Sequence, residues 1–170
     1  DRHYHAYIGR PDEYDVVSVM PFNFLTVCGL RQNHKLVDID WGSLRLAVGN
    51  DVKFDYVVSQ SIFSHTAPDL LERWIADVSL RLAHDGVCFS PVLEGDVEWD
   101  GVGWIYPECV EYRLDTVSEL ATKYGLTFAT LAWHHPRQTW CALYAPGFNS
   151  KLLNQGLPSW NNFGTLRKEF

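Results

Sequence analysis

The side chains best suited to chemistry fall in a few short runs. His65, in Ser61-Ile62-Phe63-Ser64-His65, and His135, in His134-His135-Pro136-Arg137-Gln138, carry imidazoles. An imidazole with a pKa near 6.5 can take a proton from a hydroxyl or an amine, so these two are the catalytic candidates. Hydrogen bonding to a loop is the plainer use of His65. His134 and His135 are adjacent and diverge on a strand, and no third ligand stands at metal spacing, so no metal site is expected. Arg137 offers a planar fork of donors and, with Gln138, could grip an anionic or sugar-like substrate. Trp99, Trp104 and Tyr106 interleave with Glu94, Asp96, Glu98 and Asp100, a pattern suited to a lid that stacks on a flat or carbohydrate face. Asp38 and Asp40 close an apolar run just before Gly42 and Ser43, and Ser59-Gln60-Ser61 closes another. Cys28, Cys88 and Cys141 lie in apolar runs and none of the four cysteines forms a C-x-x-C pair, which reads as buried, reduced thiols in a reducing cytoplasm.

Strand-like and helix-like runs alternate from residue 35 onward, which predicts an α/β fold. Lys35 to Asp40 reads as a first strand and Phe54 to Ser59 as a second. Thr66-Ala67-Pro68-Asp69 opens a helix: Thr66 is the expected cap, Pro68 suits the first turn, and Asp69 suits the positive end of the dipole. Leu70, Leu71, Trp74, Ile75, Val78 and Leu82 form its apolar stripe, and Asp85-Gly86 is the expected stop. Val87 to Val92 is a third strand. The stretch from Glu94 to Tyr112 is long enough for a functional loop. Asp115 or Thr116 is expected to cap a second helix with the stripe Val117, Leu120, Ala121 and Tyr124, closed by Gly125. Leu126–Trp133 and Thr139–Tyr144 must pair antiparallel, because so short a connection permits nothing else. Pro11 to Leu30 reads as a helix interrupted at Pro21, and the tail from Pro146 as a loosely packed extension. The expected division is a helical segment over 1–34, one α/β domain over 35–145 and an extension over 146–170.

The 170 residues, with 14 Lys+Arg against 21 Asp+Glu, are 46% hydrophobic, enough for one folded domain without disulfide or metal staples. No apolar run approaches the roughly 20 residues of a membrane span, so no membrane partner is expected. The acidic balance lacks the field that phosphate backbones select, so no nucleic acid is expected either. The first residue is Asp1 and the only methionine is Met20, which suggests a piece of a longer translation product.

In an open parallel sheet the ligand binds beyond the carboxyl ends of the strands, which places Asp38–Ser43, Ser59–His65, the loop after Val92 and residues 134–138 on one face. Assembled so, Lys35–Arg45 (KLVDIDWGSLR), Phe54–His65 (FDYVVSQSIFSH), the helix to Gly86, Trp104-Ile105-Tyr106-Pro107 and HPRQTW resemble a bacterial class I methyltransferase that uses S-adenosylmethionine. Tyr7-Ile8-Gly9 and Tyr14–Leu30 resemble the stretch preceding the first strand in that family, so the resemblance covers about residues 7 to 145. It implies a Rossmann-like sheet ordered 3-2-1-4-5-7-6 with an antiparallel last strand. It further implies cofactor contacts from Asp38, Asp40, Gly42, Ser43, Ser59, Gln60 and Ser61, and acceptor contacts from Tyr106, Arg137 and Gln138. The acceptor is expected to be a small molecule or a glycan.

Two departures fall on the cofactor loop. Asp40 stands where the family has its first glycine, followed by Trp41. Only eleven residues, Ser43 to Lys53, separate Gly42 from Phe54, where the family inserts a helix, two strands and the acid that holds the ribose. Either the crossover is minimal and the sheet is abbreviated to 1-4-5-7-6 with flanking helices, or an internal segment is absent. The abbreviated sheet would leave its first strand as an edge open to pairing, and hence to a homo-oligomer. The departures also admit a degenerate fold that has lost the cofactor and serves as a binding or assembly protein.

Overall fold

The computed structural model describes residues 25–38, 51–96, 99–133 and 135–154. Asp40, Gly42, Ser43, His134 and residues 11–24 of the expected Pro11–Leu30 helix lie outside the described residues. Five strands form one sheet: β1 (Leu36–Asp38), β2 (Phe54–Val58), β3 (Leu82–Val92), β4 (Thr127–Thr130) and β5 (Thr139–Tyr144). Their order is β1-β2-β3-β5-β4, with β1, β2 and β3 parallel and β5 antiparallel to both of its neighbours. This is the abbreviated 1-4-5-7-6 order, in a Rossmann-like α/β fold. The expected hairpin is present, with Phe128 opposite Leu143 and Thr130 opposite Cys141.

Period-two alternation sends side chains to two cores, one on each face of the sheet. Val57, Cys88, Cys141 and Leu143 face the helices α1 (Pro68–Arg81) and α2 (Leu114–Lys123), meeting Leu71, Trp74, Ile75, Val78, Val117 and Ala121. Tyr56, Val58, Val87, Phe89, Trp140 and Ala142 face the other way, onto Leu25, Cys28, Phe148 and Leu153. The start of the C-terminal extension is therefore packed rather than loose: Phe148 and Leu153 are buried, and the Gly147 amide donates to the His84 carbonyl at 3.1 Å. The residues before β1 are tied in as well, since the Tyr56 hydroxyl donates to the Cys28 carbonyl at 2.8 Å.

Of the expected stripe, Leu71, Trp74, Ile75 and Val78 are buried on α1, Leu70 is half-buried and the buried Leu82 opens β3, while three expected helix punctuations fall elsewhere. Ala67 is the N-cap of α1, without a side-chain bond, and Thr66 turns its hydroxyl back to the Phe63 carbonyl at 3.0 Å. Arg113 is the N-cap of α2, so neither Asp115 nor Thr116 caps it. Gly86 does not stop α1, which ends at Arg81 as Leu82 becomes extended. Gly86 lies within β3, where Phe54 pairs Leu82 but Tyr56 pairs Val87, so β3 bulges between the two pairings. Gly125 does close α2, at φ +75°. Among the described residues no helix is long and apolar enough to cross a membrane.

Candidate functional site

The register aligns the strand ends. Asp38 pairs Val58, Val58 pairs Phe89, and Val92 pairs Thr139, so the last residues of β1, β2 and β3 and the first residue of β5 all lie at one end of the sheet. Asp38 is exposed there. Ser59 belongs to the sheet junction instead. It is fully buried, its amide donates to the Phe89 carbonyl at 2.9 Å and its carbonyl accepts from the Ser90 hydroxyl at 3.0 Å.

Beyond Ser59 the chain turns sharply. Ser61 has φ +56°, a left-handed conformation that costs a side-chain-bearing residue energy and marks a constrained position. The turn closes a polar ring with the hairpin. The Gln60 side chain stands 3.5 Å from both the Ser61 hydroxyl and His135 Nε2. The Ser64 hydroxyl donates to the Ser61 carbonyl at 3.2 Å and accepts from Gln138 Nε2 at 3.2 Å. The amides of Arg137 and Gln138 both donate to His135 Nδ1, at 3.2 and 3.0 Å. These two donors occupy the Nδ1 lone pair, so the neutral ring carries its hydrogen on Nε2. Gln60 Nε2 also carries hydrogens, and a half-turn of the amide presents Oε1 to His135, satisfying a buried oxygen that otherwise has no partner among the described residues. His135 thereby offers a donor to the ring and holds the hairpin.

His65 is held differently. Its Nδ1 lies 2.7 Å from the Glu108 carbonyl and 3.8 Å from Cys109 Sγ. A carbonyl only accepts and is far the closer partner, so Nδ1 carries the hydrogen and Nε2 keeps its lone pair. The loop that supplies Glu108 is stitched along residues 64–69. Gly103 accepts from the Ala67 amide at 2.8 Å and donates to Asp69 Oδ1 at 2.8 Å. The Ile105 amide donates to the His65 carbonyl at 3.0 Å, the Val110 amide to the Ser64 carbonyl at 2.8 Å and the Tyr112 hydroxyl to the Thr66 carbonyl at 2.6 Å. Tyr106 and Trp104 flank the imidazole with ring centroids 5.0 and 5.9 Å away. Trp104 stays exposed, whereas Trp99 packs against the helix-side core and is not an open stacking face.

The structure thus gathers Gln60, Ser61, His135 and Gln138 into one ring and His65 and Tyr106 into the adjoining loop, with Ser64 joined to both. Arg137 is exposed, and its charge draws the Cys109 thiol down against the larger upward push of burial. Burial pushes the thiols of Cys28, Cys88 and Cys141 up to about 12, as suits packing residues. The sequence reading missed Ser64, although the polar run Ser59–Ser61 adjoins it. It also missed Glu108, which acts through its backbone and so leaves no side-chain signal.

No family model matches the chain, and no curated protein matches it by sequence. Among solved structures it is similar to magnesium protoporphyrin IX methyltransferase from Synechocystis with bound S-adenosylhomocysteine (8% identity, TM-score 0.43, covering 58% of this chain and 47% of that one). It is also similar to a 1,6-didemethyltoxoflavin-N1-methyltransferase from Burkholderia thailandensis with bound substrate and S-adenosylhomocysteine (19%, 0.44, 61% and 48%). A third is the S-adenosylhomocysteine complex of DhpI (18%, 0.43, 56% and 50%). The chain spans about half the length of each.

Proposed function

We propose that this chain carries out S-adenosylmethionine-dependent methyl transfer to a small-molecule or glycan-type acceptor. The observation that carries the reading is the strand order β1-β2-β3-β5-β4 with an antiparallel β5, the order that the family resemblance requires once the first crossover is shortened. The polar ring at the carboxyl ends of the strands supports it, because that is where open α/β sheets bind ligands. The exposed Asp38 carboxylate suits a cationic ligand, and the ring contributes Gln60 and Ser61. Asp40, Gly42 and Ser43 complete the candidate cofactor loop. The cofactor would supply a methyl group already activated on a sulfonium. The protein's share is positioning, which can lower such a barrier by several kcal/mol, about 7 or more in the best-oriented cases. Tyr106, Arg137 and Gln138 are the acceptor-side groups.

The second reading is a degenerate fold that binds or assembles without catalysis. It is favoured by β1, which pairs only β2 among the described residues, whereas the family builds its adenosine half on the outer side of that strand. Isothermal titration with S-adenosylmethionine and with S-adenosylhomocysteine separates the two. Micromolar binding that Gly42→Val abolishes supports the transferase, and no heat with either ligand removes it. A mass measurement on the intact gene product decides whether residues are missing between Arg45 and Phe54.

A further inference from the structure

We propose that His135 is a pH-sensitive latch: as a neutral imidazole it fastens the connection between β4 and β5 to the turn after β2, and as an imidazolium it lets that connection go. The bond pattern around the ring is one that only the neutral form can make. Pro136 has no amide hydrogen, so the amides of Arg137 and Gln138 are the first two donors past His135, and both point at its Nδ1, from 3.2 and 3.0 Å. An imidazolium carries a hydrogen on each ring nitrogen. Protonation would therefore set a third hydrogen against two already aimed at the same atom, removing two bonds and leaving a repulsion in their place.

The same ring holds the connection to its neighbours. Its Nε2 meets the Gln60 side chain at 3.5 Å, its face lies edge-on to Trp140 with centroids 6.2 Å apart, and three residues on, Gln138 Nε2 donates to the Ser64 hydroxyl at 3.2 Å. Releasing Arg137 and Gln138 from Nδ1 thus frees the backbone that carries the Gln138 side chain to Ser64. The polar ring around Ser61 is complete only while His135 is neutral. The groups that meet the imidazole from the turn after β2 and from β5, the Gln60 amide and the Trp140 indole, do not titrate in the physiological range. The titratable and charged groups around them are His134 and Arg137 in the same connection, His65 and Cys109 beyond Ser64, Glu94, which accepts from the Thr139 hydroxyl at 3.1 Å, and Asp38 at the end of β1. Because the closed form resists the proton, opening falls below the ordinary imidazole midpoint of about 6.5 and not above it.

Hydrogen exchange of the Arg137 and Gln138 amides, followed by NMR between about pH 8 and pH 5, tests the latch without any ligand. Opening that takes up one proton lowers the protection factor of both amides about tenfold per pH unit below the midpoint. The Ser59 amide, bonded to the Phe89 carbonyl in the sheet, should stay protected throughout. Nitrogen-15 shifts of the His135 ring should show hydrogen on Nε2 at pH 8. The Asn side-chain oxygen accepts from amides two and three residues on but takes no proton, so His135→Asn should keep the protection and lose its pH dependence. His135→Phe offers no acceptor and should leave both amides unprotected at every pH, whereas His65→Asn and His134→Asn should keep the wild-type pH dependence. Protection that does not change with pH, a hydrogen on Nδ1 at pH 8, or a pH dependence that survives His135→Asn overturns the proposal. So does loss of protection in step with the Ser59 amide, because the whole sheet would then be opening.

Discussion

Gly86→Ala tests the sheet that carries the site. A methyl group at Gly86 would stand 2.7 Å from the Phe54 carbonyl oxygen, 3.0 Å from the Ala83 nitrogen and 3.2 Å from the Ala83 oxygen. All three atoms are backbone, so none can swing aside as a side-chain tip would. Relief requires β2 and β3 to part where their register already jumps from Phe54–Leu82 to Tyr56–Val87. Overpacking of this kind costs about 1–3 kcal/mol, and the stiffer unfolded chain of the alanine variant returns about 0.4–1 kcal/mol. The net loss is about 1–2 kcal/mol, or roughly 2–8 °C in Tm for a chain of this size. Urea and thermal unfolding followed by circular dichroism measure it. Gly103→Ala is the control: nothing lies within 4 Å of its added carbon, and only the left-handed backbone at φ +79° is penalised, by about 1 kcal/mol. Because Phe54 begins β2 and the polar ring lies past its other end, ligand affinity should survive in Gly86→Ala. An unchanged urea midpoint and Tm would show that β2 and β3 are not in the contact described and would refute the reasoning.

Three further outcomes follow from the packing. Tyr112→Phe leaves the buried Thr66 carbonyl without its 2.6 Å donor and loosens the 103–112 loop, costing about 1–2 kcal/mol in urea titration; an unchanged midpoint would count against that anchor. Ellman's reagent at pH 8 should find one reactive thiol, Cys109, and react with it more slowly than with an unhindered thiol because partial burial raises its pKa; fast reaction of a second cysteine would contradict the burial of Cys28, Cys88 and Cys141. Hydrogen bonds from Lys123 and Tyr124 hold the Glu72 carboxyl below its ordinary range, so the α1–α2 tie contributes stability above that ordinary pKa and loses it as pH falls through the lowered one. A carbon-13 titration of the carboxylates checks this, and an ordinary Glu72 value would remove the tie.

Much of the fold was legible because its signals are local or topological. β-branched and aromatic runs marked the strands, steps of three and four marked α1, and a connection too short for a crossover forced β4 and β5 to pair antiparallel. The helix caps were misread because composition supplies candidates while backbone geometry selects among them: Thr66 spends its hydroxyl on Phe63, and Ala67 takes the cap position. Gly86 was misread because a glycine serves a close approach as readily as a left-handed turn, and only the register across β2 distinguishes the two. The site was legible as a list and not as a division of labour. His65 and His135 looked equivalent until a carbonyl 43 residues away and two amides within three residues fixed opposite tautomers.

The left-handed turn at Ser61 links stability to function and can be tested by removing its strain. A non-glycine residue at φ +56° pays about 1–2 kcal/mol, and glycine relieves that penalty while adding about 0.5–1 kcal/mol of unfolded-chain entropy to be lost on folding. The hydroxyl contributes little in return, since its contact with Gln60 is 3.5 Å long. Ser61→Gly should therefore fold with stability equal to the parent or up to about 1 kcal/mol higher. Ser61→Val, with a branched carbon in the same conformation, should be clearly less stable. Strain of this kind persists where surrounding contacts over-determine a conformation, and here they are the Ser64, Gln138, His135 and Gln60 bonds that tie the turn to the hairpin. Freed by glycine, the turn samples other conformations, so affinity for S-adenosylhomocysteine should fall even as Tm holds or rises. A glycine variant less stable than the parent would mean that the Ser61 hydroxyl, not its backbone, holds the ring together.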